Sequence, residues 1–150
     1  MFRVDGPIVP VPTGGTRVWV AAYVRRGTRV LVRDRSRGID LGMLGPPGGS
    51  VEPGESLEAA LARELEEETG RQLGSARLLT VMHDTVNSGV VFFYRVEFVL
   101  RLAPARTEPG HQPWRWVETD ELRRMGPDLV QRGLANWLGC DTPGCVRVVG

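Results

Sequence analysis

Apolar residues run along this chain in two rhythms, and the rhythm changes between residues 57 and 70. Segments 17–24 (RVWVAAYV) and 29–33 (RVLVR) are dense in β-branched and aromatic residues, which predicts two strands. Arg25-Arg26-Gly27 between them reads as the turn of a hairpin. From residue 57 the spacing switches: Leu57, Leu61 and Leu65 recur every fourth position with Ala60 beside them, the signature of a helix with one core-facing stripe. Ser56, just after the Pro53-Gly54 turn, is placed to cap that helix, and Gly70 supplies its stop signal. Strand-like runs resume at 76–84 and 90–102, the second carrying Phe92, Phe93, Tyr94 and Phe98, with a turn over 85–89. A short strand is expected at 114–117 and a brief helix at 119–123. A last helix over 128–138 follows from Val130, Leu134, Trp137 and Leu138. Residues 1–15 read as an irregular lead-in, 34–49 as a loop punctuated by glycine and proline, and 139–150 as a tail without a pattern. Strands on both sides of one long helix predict an α+β fold, a mixed sheet packed by helices, in one domain spanning 1–150.

The polar positions of the central helix carry the chemistry. Glu64, Glu67 and Glu68 stand at i, i+3 and i+4, which puts three carboxylates on one face about 5–6 Å apart at Cβ. At about 100° per residue, Glu64 and Glu68 border the leucine stripe, while Glu58, Ala59, Ala62 and Glu66 fall on the far side. A charge run is usually a solvated face, but such a face would lie opposite the leucines. Like charges this close repel, so a cation is expected among them, and an oxygen-only donor set suits a hard divalent ion, Mg²⁺ or Mn²⁺. Such an ion has a natural partner in a diphosphate. It supplies charge neutralisation and an acidified water, so metal-assisted hydrolysis of a phosphoric anhydride follows as one reaction, with a metal-binding module lacking catalysis as the other reading.

The segment containing this helix resembles the Nudix box of the Nudix hydrolases, with Gly49, Glu55, Arg63, Glu64, Leu65, Glu67, Glu68 and Gly70 all in register. Arg71 departs from the pattern, where an apolar residue is usual, and Pro46 precedes Pro47-Gly48-Gly49 where the family more often has another apolar residue. The resemblance implies an α/β/α sandwich with a mixed sheet and the box as a loop and helix. It implies Glu67 and Glu68 as metal ligands, Glu64 as a ligand or the base that activates water, and the Gly49 carbonyl as a further donor to the metal. It also implies that Arg63 ties the loop carboxylate Glu55 to the helix, against the alternative of a simple i,i+4 pair with Glu67. Arg35, and next to it Arg33, fall where similar proteins place a phosphate-contacting arginine. Glu52, Glu58 and Glu66 are expected in solvent or behind the ligands.

Composition narrows the partners. A net charge of +1 gives no reason to expect a nucleic-acid polymer or a membrane surface, and no apolar run is long enough to span a bilayer. The cytoplasm is the expected location, a homodimer the expected assembly by family habit, and Cys140 and Cys145 are expected as free thiols. All 19 basic residues are arginine, which favours bidentate phosphate contacts. The segment Glu108-Pro109 … Trp114-Arg115-Trp116-Val117 … Glu121-Leu122 is similar to one in Nudix nucleoside triphosphate diphosphatases. That likeness implies release of pyrophosphate from a nucleoside triphosphate. ADP-ribose or a dinucleoside polyphosphate is the competing substrate, and a nucleotide sensor without activity is the third reading. Trp114, Tyr94 and Leu129 are candidates to line the base pocket, against core packing for the tryptophans.

Overall fold

The structure is a computed structural model and describes residues 2–36, 41–85, 87–100, 104, 107–125, 134 and 147–149. Among these residues nine strands form one mixed sheet. Its main path runs β1 (Arg3–Asp5), β6 (Leu73–Asp84), β7 (Gly89–Phe98), β2 (Arg17–Arg26), β3 (Arg29–Asp34) and β4 (Leu44–Gly45). Off this path β5 (Gly48–Ser50) pairs with β2, β8 (Arg115–Glu118) with β3, and β9 (Arg147–Val149) with β6. The centre is β2 lying parallel to β7 over eight register pairs, from Arg17↔Gly89 to Val24↔Val96. The expected hairpin is present but short: β2 and β3 meet only at Arg25↔Val30 and Arg26↔Arg29. Beyond that point β2 takes β5 as its neighbour, and Val20 faces Gly49 across the pair. The glycine-rich stretch read as loop is thus stitched into the sheet. A Cβ on Gly48 would meet the Val20 carbonyl oxygen at 2.2 Å, so only glycine permits the approach.

Alternate residues of β2 feed two cores, as the period of a strand dictates. Val18, Val20, Ala22 and Val24 pack with Leu57, Ala60, Leu61 and Leu65 of helix α1 (Leu57–Thr69). Ala21 and Tyr23 pack on the other face with Phe93, Leu122 of helix α2 (Thr119–Met125) and the helical residue Leu134. Helices therefore cover both faces of the sheet. The three leucines of α1 are fully buried, worth roughly 1.5–3 kcal/mol each. Ser56 caps the helix by accepting from the Ala59 amide at 3.0 Å, and Gly70 ends it at φ 70°, the left-handed cap that glycine adopts without strain.

Two sequence expectations need correction. The lead-in is not wholly irregular, because Arg3–Asp5 adds a parallel strand beside β6. Glu58 is not on a solvated face: it is 5% exposed and accepts from the Tyr94 hydroxyl at 3.3 Å. Glu58 lies at i−3 from Leu61, so it shares the buried side. Cys140, Cys145, Leu129 and most of the helix expected over 128–138 lie outside the described residues.

Candidate active site

The start of the site is the junction of β5 with α1. Glu64 crosses directly over Gly49, where a Cβ would stand 2.4 Å from its carboxyl carbon. One turn on, Glu68 accepts from the Gly48 amide at 2.8 Å. The two glycines and the two glutamates thus interlock at backbone distance. Gly48, Glu64 and Glu68 line a cleft of about 210 Å³ together with Arg33, Arg35, Ser36, Glu108 and His111.

Arginines dominate the electrostatics. Arg63 forks onto Glu55 through Nε at 2.8 Å and Nη2 at 2.9 Å, and donates from Nη2 to the Ser50 carbonyl at 2.9 Å. Its Nη1 also donates to Glu64 at 2.9 Å and reaches Glu67 at 3.5 Å. The loop-to-helix tie and the i,i+4 pair therefore coexist, the tie being the shorter. Glu55 is pulled down to about 2, chiefly by the Arg63 hydrogen bonds. Glu68 goes the other way: burial pushes it up to about 8, with the Gly48 amide and Arg33 opposing the rise. Burial likewise raises Glu64, with Arg63 opposing and Glu67 and Glu108 adding to the rise.

The expected convergence of Glu64, Glu67 and Glu68 is not formed. Among the described residues no three His, Cys, Asp or Glu side chains come close enough together to hold a metal ion. The reason is the arginines. The second oxygen of Glu68 accepts from Arg33 Nη2 at 2.6 Å, Glu64 accepts from Arg63, and the Glu67 side chain is 54% exposed. The donor set still fits a divalent ion by its chemistry. Its members are oxygen donors on one helix face, and two of them, Glu64 and Glu68, share a cleft in which burial disfavours their unpaired charge. To bind such an ion they must share their oxygens with arginines or release them.

The substrate-side expectations divide. Arg33 and Arg35 both reach the cleft, where Arg33 Nη1 and Arg35 Nε are buried without a hydrogen-bond partner among the described residues. Tyr94 does not line a pocket: it is fully buried in the core under α1, because its alternation with Phe92 and Val96 turns all three to the leucines. Trp114 does not present its ring for a base in the expected way. The Arg33 guanidinium lies 4.2 Å over that ring, and the indole Nε1 donates to the Glu68 carbonyl at 3.0 Å. Trp116 has the same fate, beneath Arg26 at 4.5 Å. Sequence reasoning missed Glu108 and His111, which arrive from the loop before β8. Glu108 accepts from Arg33 at 3.2 Å, and His111 Nδ1 lies 3.3 Å from the Ser36 hydroxyl. Glu108 opens the segment similar to one in nucleoside triphosphate diphosphatases, but only β8 pairing with β3 brings that loop to the cleft.

Comparison with known proteins agrees with this architecture. A family model described as NUDIX domain matches residues 15–138. A Mycobacterium tuberculosis protein named as a candidate 8-oxo-dGTP diphosphatase 2 is 34% identical over 118 residues, 78% of this chain and 84% of that one. The crystal structure of a MutT NUDIX hydrolase from Burkholderia pseudomallei superposes with a TM-score of 0.63 at 34% identity, covering 71% of this chain and 86% of its own. A NUDIX hydrolase from Nitrosomonas europaea gives 0.68 at 25% identity, covering 86% and 92%.

Proposed function

The chain belongs to the NUDIX family and is a pyrophosphohydrolase, and from that premise we propose that it hydrolyses a nucleoside triphosphate to the monophosphate and pyrophosphate with the help of Mg²⁺ or Mn²⁺. The observation that carries this reading is the mixed lining of the cleft. Glu64 and Glu68 meet there with Arg33 and Arg35, each of which keeps one buried nitrogen without a partner among the described residues. Carboxylates suit a cation and guanidinium donors suit phosphate oxygens, so a polyphosphate with its divalent ion satisfies both. The similarity to a protein named for 8-oxo-dGTP supports a purine deoxynucleoside triphosphate as the first substrate to test.

In this reading a bound divalent ion neutralises phosphate charge and acidifies water. Glu67 and Glu68, with the Gly49 carbonyl, would hold it. Glu64 is a further ligand or takes the proton of the attacking water. Water adds to one phosphorus, the bridging P–O bond breaks, and pyrophosphate leaves with the bond's electrons. Arg35 holds the phosphate chain through its Nε. Arg63 keeps the 50–55 loop docked on α1, so that Glu64 stays over Gly49. The same reading has the enzyme act on free nucleotides in the cytoplasm, as a homodimer of single-domain chains. Light scattering checks the assembly.

The deciding experiment incubates the purified protein with Mg²⁺ and a panel of nucleoside triphosphates, 8-oxo-dGTP, ADP-ribose and dinucleoside polyphosphates, and resolves the products by chromatography. Pyrophosphate and a nucleoside monophosphate are expected. E67Q is expected to lower turnover by orders of magnitude. Orthophosphate alone, or AMP with ribose phosphate from ADP-ribose as the preferred reaction, would sink the triphosphate reading. Full turnover by E67Q would sink the site.

A further inference from the structure

Arg33 is held more tightly than contact with a passing phosphate requires. Its side chain is 8% exposed, and one nitrogen, Nη2, serves both Glu68 at 2.6 Å and Glu108 at 3.2 Å. The flat guanidinium rests on the Trp114 ring, and that indole is pinned to the end of α1 by its bond to the Glu68 carbonyl. Aromatic floor, arginine and carboxylate thus form one unit, closed on the far side by the Gly48 amide on the other Glu68 oxygen. A second nitrogen, Nη1, is buried and has no hydrogen-bond partner among the described residues.

We propose that Arg33 is a resident cation that competes with the divalent ion for Glu68, so that it sets the metal affinity of the site and turns to phosphate once the metal has taken Glu68. The proposal rests on the reading of Glu68 as a metal ligand. Its physical basis is the repulsion between a guanidinium and a dication on one poorly solvated carboxylate. Removing the guanidinium frees the Glu68 oxygen that Nη2 holds at 2.6 Å and lifts the repulsion a dication would meet there. The same change deletes a donor that the cleft offers to phosphate. Loss of Arg33 charge therefore has opposite effects on the two ligands. A purely structural arginine would not divide them, because a damaged site loses affinity for both.

The test is Mn²⁺ titration without nucleotide, read by electron paramagnetic resonance at mildly alkaline pH, beside calorimetric binding of the nucleoside triphosphate in EDTA. R33M is expected to tighten Mn²⁺ by about tenfold, equivalent to ~1.4 kcal/mol, and to weaken metal-free nucleotide binding. R33K keeps the charge and is expected to hold Mn²⁺ as the unaltered protein does. Mn²⁺ affinity unchanged or weakened in a folded R33M overturns the proposal. If R33M does not fold, R33Q is read instead, a neutral side chain that keeps a hydrogen-bond donor for Glu68. It is expected to tighten Mn²⁺ as R33M would; unchanged or weaker binding overturns the proposal. If the unaltered protein shows no Mn²⁺ that E68Q removes, it is the metal-ligand reading of Glu68 that fails.

Discussion

Replacing Gly49 by alanine separates activity from stability at this site. A Cβ there would lie 2.4 Å from the Glu64 carboxyl carbon and one oxygen, and 2.6 Å from the other oxygen. Ordinary contact begins at 3.4 Å, so the carboxylate must retreat by about 1 Å. What yields is the far end of a flexible side chain, not backbone. An off-rotamer glutamate costs roughly 0.5–1.5 kcal/mol. Against this, alanine restricts the unfolded chain and returns roughly 0.4–1 kcal/mol. The fold is therefore expected to survive G49A with a melting temperature within a few degrees of the starting protein. A displacement of about 1 Å at a reacting centre can cost on the order of 10²-fold in rate. The assay is steady-state pyrophosphate release paired with a thermal melt of the same preparation. G48A is the contrast, since its Cβ would collide with the Val20 backbone at 2.2 Å and must damage the fold. The reasoning is refuted if G49A turns over as fast as the starting protein, or if its lost activity follows lost folded protein.

Three further predictions concern the surrounding residues. R35A, which removes the guanidinium donor from the cleft, should lower kcat/KM for a triphosphate by roughly tenfold to a hundredfold, from ~1.5–3 kcal/mol per charge-assisted bond; an unchanged value would place Arg35 outside the substrate's reach. Y94F should destabilise the protein by about 1–3 kcal/mol, since it strips a buried Glu58 of its donor, and should leave KM untouched; a raised KM with normal stability would restore Tyr94 to a pocket. Glu55 is held at about 2 by Arg63, below its ordinary 4.5, so its contribution is complete above about 4.5 and drains as pH falls towards about 2. E55Q should accordingly cost about 1–2 kcal/mol at neutral pH in EDTA-treated protein, with the gap to the starting protein closing in acid. Parallel urea-denaturation curves at all pH values would contradict that account.

Much of the architecture was legible because it is local. The period-four leucines, the Ser56 cap and the Gly70 stop specify α1 without reference to anything distant. The aromatic run fixes β7 and the β-branched run fixes β2 for the same reason. The expected strand over 90–102 overran β7, which ends at Phe98. The 34–49 loop hid β4 and most of β5 because two- and three-residue strands of glycine and leucine have no period to read. Glu58 was misassigned on a helical wheel because Tyr94, thirty-six residues away, supplies the bond that lets a carboxylate be buried.

By itself, the order of residues determined which helix carries the carboxylates, which arginine locks the loop to it, and which family chemistry the chain belongs to. All of these depend on spacing within about twenty residues, where one helical turn or one capped loop dictates who meets whom. Only the tertiary structure decided what those carboxylates touch. Arg33 on β3 reaches Glu68 on α1, Trp114 floors the pair, and Glu108 and His111 join the cleft from the loop before β8. A sequence records that a charge exists; its partner is chosen by strand pairing and burial, which bring distant side chains together where water no longer screens them.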